Sequence, residues 1–163
     1  MQGTGTENKR GTIIVTLKRA QVEEMFAHAR EVCPEECCGL VGGRSISSSD
    51  DAEGSSVYPL RNIAPDKGVA YDGDPQDLCE AQRMMRSRGE GLLGVYHSHP
   101  RERAPVPSES DVRLAYHPSA IYFIIGMDSG GTDENAAAES LHAFRIFRSE
   151  KRWERVEYAV VES

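Results

Sequence analysis

The stretch LLGVYHSHPRERAPVPSESDVRLAYHPSAIYFIIGM, Leu92 to Met127, sets two strand patterns around a short helix pattern. LLGVYHSH, Leu92–His99, alternates in the manner of a strand. AIYFIIGM, Ala120–Met127, is a continuous apolar run of β-branched and aromatic side chains, as in a central strand. Between them, SESDVRLAYH reads as a short helix opening at Ser108. Strand and helix patterns alternating in this way predict a sheet with helices packed around it.

The same order extends upstream. TIIVTL, residues 12–17, is a short β-rich run. KRAQVEEMFAHAREVC follows with apolar positions Val22, Met25, Phe26, Ala29 and Cys33, the i, i+3, i+4, i+7 spacing of an amphipathic helix that Pro34 ends. CCGLVGG, residues 37–43, reads as a buried strand, and RSISSSDDAEGSS, residues 44–56, as a polar loop. VYPL, residues 57–60, is a short strand whose proline suggests an edge or a bulge. RNIAPDKGVAYDGD is a long irregular connection, of the kind that often carries function. A second helix begins at Asp74 as N-cap with Pro75 in its first position, and Gly89 is its stop. Downstream, residues 128–139 read as a polar loop, and LHAFRIF and WERVEYAVV as two strands joined through RSEKR. The predicted class is α/β or α+β, with a central mixed sheet flanked by helices. Residues 1–10 read as a disordered tail and 11–163 as a single domain.

Composition narrows the function. With 163 residues, 39% hydrophobic and 28% charged, the chain has the make-up of a soluble globular protein. A net charge of −7 argues against a nucleic-acid partner, since phosphate binding is driven by Lys and Arg. The basic RMMRSRG at residues 83–89 reads as a solvated helix end. No segment reaches the length of a membrane span, and the polar N-terminus lacks the apolar core of a signal peptide, so the cytoplasm is the expected location. Cys33, Cys37, Cys38 and Cys79 lack paired Cys-x-x-Cys knuckles and read as buried free thiols.

The chemistry concentrates in HSHP and SESD. Side chains i and i+2 of a strand share a face, so His97 and His99 project together. A bare His-x-His is more often a surface pair at a strand end, since such pairs arise by chance. Ser108 and Asp111, three residues apart, resemble a capping box, and capping alone would account for both. An acid in the first helical turn can also point back at the strand that feeds it. Two histidines and one carboxylate then make an open three-ligand zinc set with a fourth position for water. Pro100, Pro105 and Pro107 stiffen the connection. The water needs a base, and spacing alone does not choose among the glutamates.

Here the sequence resembles the MPN/JAMM metalloprotease family, in its short bacterial and archaeal form. PEECCGLVGG is close to the family's Glu-x-Cys-Gly-Leu signature and places its glutamate on Glu36. HSHP supplies His97, His99 and Pro100, SESD supplies Ser108 and Asp111, and PLRNIAP matches an Asn-containing loop of the short members. The resemblance spans roughly residues 12–127. It departs from the family in one place: Pro100 to Pro107 is eight residues where seven are usual. It implies a curved mixed sheet in a three-layer arrangement like that of cytidine deaminases. It also implies one Zn2+ held by His97, His99 and Asp111, Glu36 as general base and proton shuttle, and Ser108 as donor to the ligated water or the oxyanion. The implied reaction is hydrolysis of peptide or isopeptide bonds after the C-terminal Gly-Gly of a ubiquitin-like or sulfur-carrier protein. A homodimer stays open.

Three rival readings share parts of the motif. A non-catalytic MPN-type scaffold would generally have lost ligands. A RadC-like DNA-repair branch usually reads His-Asn-His-Pro-Ser-Gly where this chain has HSHPRE. A phage-tail-type cell-wall peptidase often carries a fused second hydrolase domain. Substrate choice is expected in loops 61–73 and 128–139, the first of which would pair as a strand with an extended tail.

Overall fold

The computed structural model describes residues 14–45, 51–127 and 139–162. The tail expected at 1–10, residues 46–50 of the first polar stretch and residues 128–138 of the second lie outside them. The described elements follow as β1 (Val15–Lys18), α1 (Arg19–Val32), β2 (Cys38–Ser45), β3 (Ala52–Leu60), α2 (Pro75–Ser87), β4 (Gly91–His99), α3 (Glu109–Arg113), β5 (Ile121–Met127), β6 (Glu139–Phe147), β7 (Arg152–Arg155) and β8 (Tyr158–Val161).

The eight strands form a single mixed sheet in the order β7-β6-β5-β4-β2-β3-β1-β8. The pairs β1–β3, β1–β8 and β4–β5 are parallel, and the others antiparallel. β7 and β8 occupy opposite edges, yet only Val156 and Glu157 separate them in the chain. The sheet must therefore curl until its edges approach. Two bonds hold it so: the Val156 amide donates to Ala143 O at 2.9 Å, and the Tyr158 hydroxyl donates to Leu141 O at 2.6 Å.

Alternation along the strands divides the core in two. Tyr96, Phe123 and Ile125 pack with Val22, Met25 and Ala29 of α1. Val95, Tyr122 and Ile124 pack on the other face with Ala81 and Met85 of α2 and Val112 of α3. The result is an α+β fold of three layers. His97 and His99 keep step with Val95, which directs them to the α2/α3 face, while buried Ser98 keeps step with Tyr96. No helix among the described residues is long and apolar enough to cross a membrane.

Three local readings differ from the structure. The stretch 52–56, read as loop, is the first half of β3, paired to β2 across a bulge at Gly42/Gly43. Backbone pairing needs no apolar period, which is why the pattern missed it. WERVEYAVV is two strands rather than one, because the chain leaves one sheet edge for the other at Val156. Of the four thiols only Cys37 and Cys38 are buried; Cys33 and Cys79 are exposed. Pro59 pairs with Gly39 of β2, and β1 pairs with β3 only at Ala52 and Glu53, so at Pro59 the strand has no β1 partner and is locally an edge.

Candidate metal centre

β4 ends at His99, and the turn after it lies across β5. The Met127 amide donates to Glu102 O at 2.8 Å, and Ser140 Oγ donates to Arg103 O at 2.9 Å. A Cβ on Gly126, which pairs with His99, would sit 2.4 Å from Arg103 O and 2.7 Å from Pro105 Cδ. Only glycine lets the turn lie this close. Pro105 is fully buried, so the longer connection is anchored along its length before it reaches α3.

Ser108 caps α3 in both directions. Its Oγ accepts from the Asp111 amide at 3.1 Å, and its own amide donates to Asp111 Oδ2 at 2.9 Å. The same Oδ2 lies 3.0 Å from His99 Nε2 and 3.2 Å from His97 Nε2, and the two Nε2 atoms are 3.2 Å apart. Asp111 thus caps the helix and also meets both histidines. Glu36, from the irregular link between α1 and β2, arrives through strand pairing, since Cys38 is opposite His97. One ligand-type atom from each of Glu36, His97 and His99 lies within 4.8 Å of the others. Glu36, Asp111 and both histidines are buried.

The donor set fits a tetrahedral cation. Zinc–ligand bonds of about 2.0–2.1 Å place neighbouring ligands about 3.3 Å apart, close to the edges of the His97, His99, Asp111 triangle. His97 Nδ1 is buried and without a hydrogen-bond partner among the described residues. Tyr71 stacks on the His97 ring, with centroids 4.4 Å apart. The ring's polar partners therefore all converge on Nε2. His99 is held at both nitrogens, because Glu102 Oε2 lies 3.1 Å from its Nδ1.

Burial and charge oppose each other at this site. Burial pushes the Glu36 carboxyl up, against the pull of His99 and with help from Asp111 and Glu102, to about 7. Burial acts to lower His99, but Asp111 and Glu102 outweigh it and lift the imidazole to about 9. Burial acts to raise Asp111, yet the charge of His97 and hydrogen bonds from both histidines and the Ser108 amide hold it well below the carboxylate range. Cys38, which packs behind the site, is pushed up by burial to about 12, which leaves it without thiolate character.

These shifts predict how the metal-free protein responds to pH. Glu36 and His99 both have folded pKa values above their unfolded ones. Their contribution is complete at low pH and is lost as pH rises, first through about 7 for Glu36 and then through about 9 for His99. Asp111, shifted the other way, contributes above its ordinary range and loses that contribution only in acid. Urea midpoints measured with chelator present are expected to fall between about pH 5 and 9. A flat profile would contradict the assignment.

All five residues singled out in the sequence (Glu36, His97, His99, Ser108 and Asp111) therefore meet at one place. Glu36, His99, Ser108 and Asp111 line a cavity of about 170 Å³, walled by Gly68, Val69 and Glu102. Sequence reasoning missed Glu102 and Tyr71. No spacing rule marks either, although Glu102 lies in the lengthened turn and Tyr71 in the long connection expected to carry function.

Residues 18–147 match the family described as prokaryotic homologues of the JAB domain. A desampylase of Haloferax volcanii is 34% identical over 110 residues, covering 65% of this chain and 76% of that protein. A probable TtuB-protein conjugate cleaving protease of Thermus thermophilus is 34% identical over 116 residues, covering 71% and 72%. Among solved structures, a Desulfitobacterium hafniense protein superposes with a TM-score of 0.75 at 36% identity, covering 91% of this chain and 94% of that one.

Proposed function

Because the chain belongs to the family of prokaryotic homologues of the JAB domain, we propose that it is a zinc-dependent hydrolase of peptide or isopeptide bonds, acting after the C-terminal Gly-Gly of a ubiquitin-like, sulfur-carrier-type protein. The observation that carries this reading is the convergence of one buried glutamate on a triangle of two imidazoles and a carboxylate. Relatives named for cleaving or removing protein conjugates support the substrate class.

In this reading His97, His99 and Asp111 hold the ion. Bound there, zinc supplies Lewis acidity and makes a water acidic enough to be deprotonated near neutral pH. The Glu36 carboxylate takes that proton and delivers it to the leaving nitrogen. Burial holds this carboxyl above the usual carboxylate range in the metal-free protein, and the charge of a bound cation acts in the opposite direction. The Oγ of Ser108 accepts from the Asp111 amide, so its own proton is free to be given to the oxygen of the scissile carbonyl as charge develops there. Glu102 holds His99 through Nδ1, and Tyr71 shields the His97 ring from water. A cavity of about 170 Å³ walled by Gly68 and Val69 suits a tail with no side chains at its last residues.

The reading is tested by incubating zinc-loaded protein with a ubiquitin-like protein extended past its Gly-Gly and weighing the products. The expected product ends at the second glycine, and chelator prevents its formation. A zinc-loaded protein that leaves every such tail intact would sink the proposed substrate class.

A further inference from the structure

Glu36 belongs to no helix or strand. Its main chain is instead held by the connection between β3 and α2. The Glu36 amide donates to Lys67 O at 2.7 Å, and its carbonyl accepts from Asn62 Nδ2 at 3.0 Å. Both backbone groups of the proposed base therefore end on one loop.

That loop is organised around one side chain. Asn62 Nδ2 donates to Ala70 O as well as to Glu36 O, while Oδ1 accepts from the amides of Ala64 and Asp72, all at 3.0 Å. Two N–H groups and two lone pairs are the whole capacity of a primary amide, so Asn62 is saturated. The arrangement also fixes the amide's orientation, because a flip would set oxygen against two carbonyls and N–H against two amides. The loop base closes around it: Asn62 bridges Gly73, the Ile63 amide donates to Asp72 O at 2.8 Å, and the Asp74 amide donates to Arg61 O at 2.9 Å. Lys67, whose carbonyl holds the Glu36 amide, lies inside the closed loop.

We infer that Asn62 is the positioning residue for Glu36: one N–H of its amide holds the Glu36 carbonyl and the other holds Ala70 O, so the loop is tied both to itself and to the Glu36 main chain, which sets the carboxylate's distance from His97 and His99. The inference rests on the hydrolase reading for Glu36's role. It goes beyond that reading by giving the segment 61–73 a task in catalysis, where the sequence suggested only substrate pairing. The metal triangle is built from β4 and α3, and Asn62 has no hydrogen bond to it. Loss of the clamp should therefore move the base and leave the ion in place.

The experiment compares zinc-loaded wild type with Asn62→Asp and Asn62→Ala, using the tail-extended ubiquitin-like protein as substrate. Asn62→Asp keeps size and both acceptor bonds, but a carboxylate has no N–H to give and sets negative oxygen against the Glu36 and Ala70 carbonyls. The expected result is a kcat lower by about 10- to 100-fold with KM nearly unchanged, since a base displaced by about 1 Å costs rate rather than binding. Zinc affinity stays at the wild-type value. Residue-resolved hydrogen exchange shows the Glu36 amide exchanging at least about tenfold faster, while Leu40 and Val41 in β2 keep their protection. Unchanged kcat alongside a deprotected Glu36 amide overturns the inference. So does loss of zinc or of the folded state in both variants, because Asn62 would then serve the whole domain. If zinc-loaded wild type cleaves no tail, the hydrolase reading fails separately. Exchange then decides alone: continued protection of the Glu36 amide in the variants refutes the clamp.

Discussion

Glu36→Gln is expected to slow cleavage by about 10²- to 10⁴-fold while leaving zinc bound. Glutamine has the size and one acceptor oxygen of glutamate but cannot take a proton. The variant also separates two ways of building the site. One ligand-type atom each from Glu36, His97 and His99 lies within 4.8 Å of the others, so that trio could itself hold a cation. The Asp111 carboxylate lies 3.0 and 3.2 Å from the two Nε2 atoms, which is the spacing of neighbouring ligands around zinc. The Asp111 triangle carries more weight because all three of its edges match a coordination shell. If Asp111 is the third ligand, Glu36→Gln costs rate and not metal. If Glu36 is the ligand, rate and metal fall together. Zinc content measured beside the rate distinguishes them.

Asp111→Asn should remove metal and activity at once. Asp111 Oδ2 is the shared acceptor for His97 Nε2, His99 Nε2 and the Ser108 amide. Asparagine keeps the shape but loses the charge that holds a cation against two neutral imidazoles. Zinc affinity, read by competition with a chromogenic chelator, is expected to drop by at least about 100-fold, since even an outer partner of a zinc ligand is worth 10- to 100-fold. The metal-free variant should also be less stable by about 1–3 kcal/mol, the worth of charged hydrogen bonds at a buried site. Zinc affinity unchanged from wild type would remove Asp111 from the ligand set.

Much of this was legible in one dimension, and for local reasons. A period of two puts His97 and His99 on one face whatever the rest of the chain does. Ser108 and Asp111 announce a helix start, and both halves of the capping box form. Asp74 and Pro75 mark the second helix just as locally, with Asp74 accepting from the Gln76 and Asp77 amides. The lengthened turn raised a question that the sequence could not answer. Structure answers it by laying Arg103 and Pro105 across Gly126 and giving Glu102 a contact with His99 Nδ1.

By itself, then, the sequence determined the pairs and caps that a few consecutive residues settle through strand alternation and helix-end chemistry. The family resemblance added Glu36, which no spacing rule could have chosen. Only the tertiary structure decided how near that glutamate comes to the histidines, because this depends on Cys38 pairing with His97. It also decided that a polar run completes β3, that the last strand crosses to the far edge, and that Asn62 gathers four backbone groups. Each of these depends on main-chain hydrogen bonds between distant segments. Such bonds use the same N–H and C=O at almost every residue, so they leave little trace in the order of side chains.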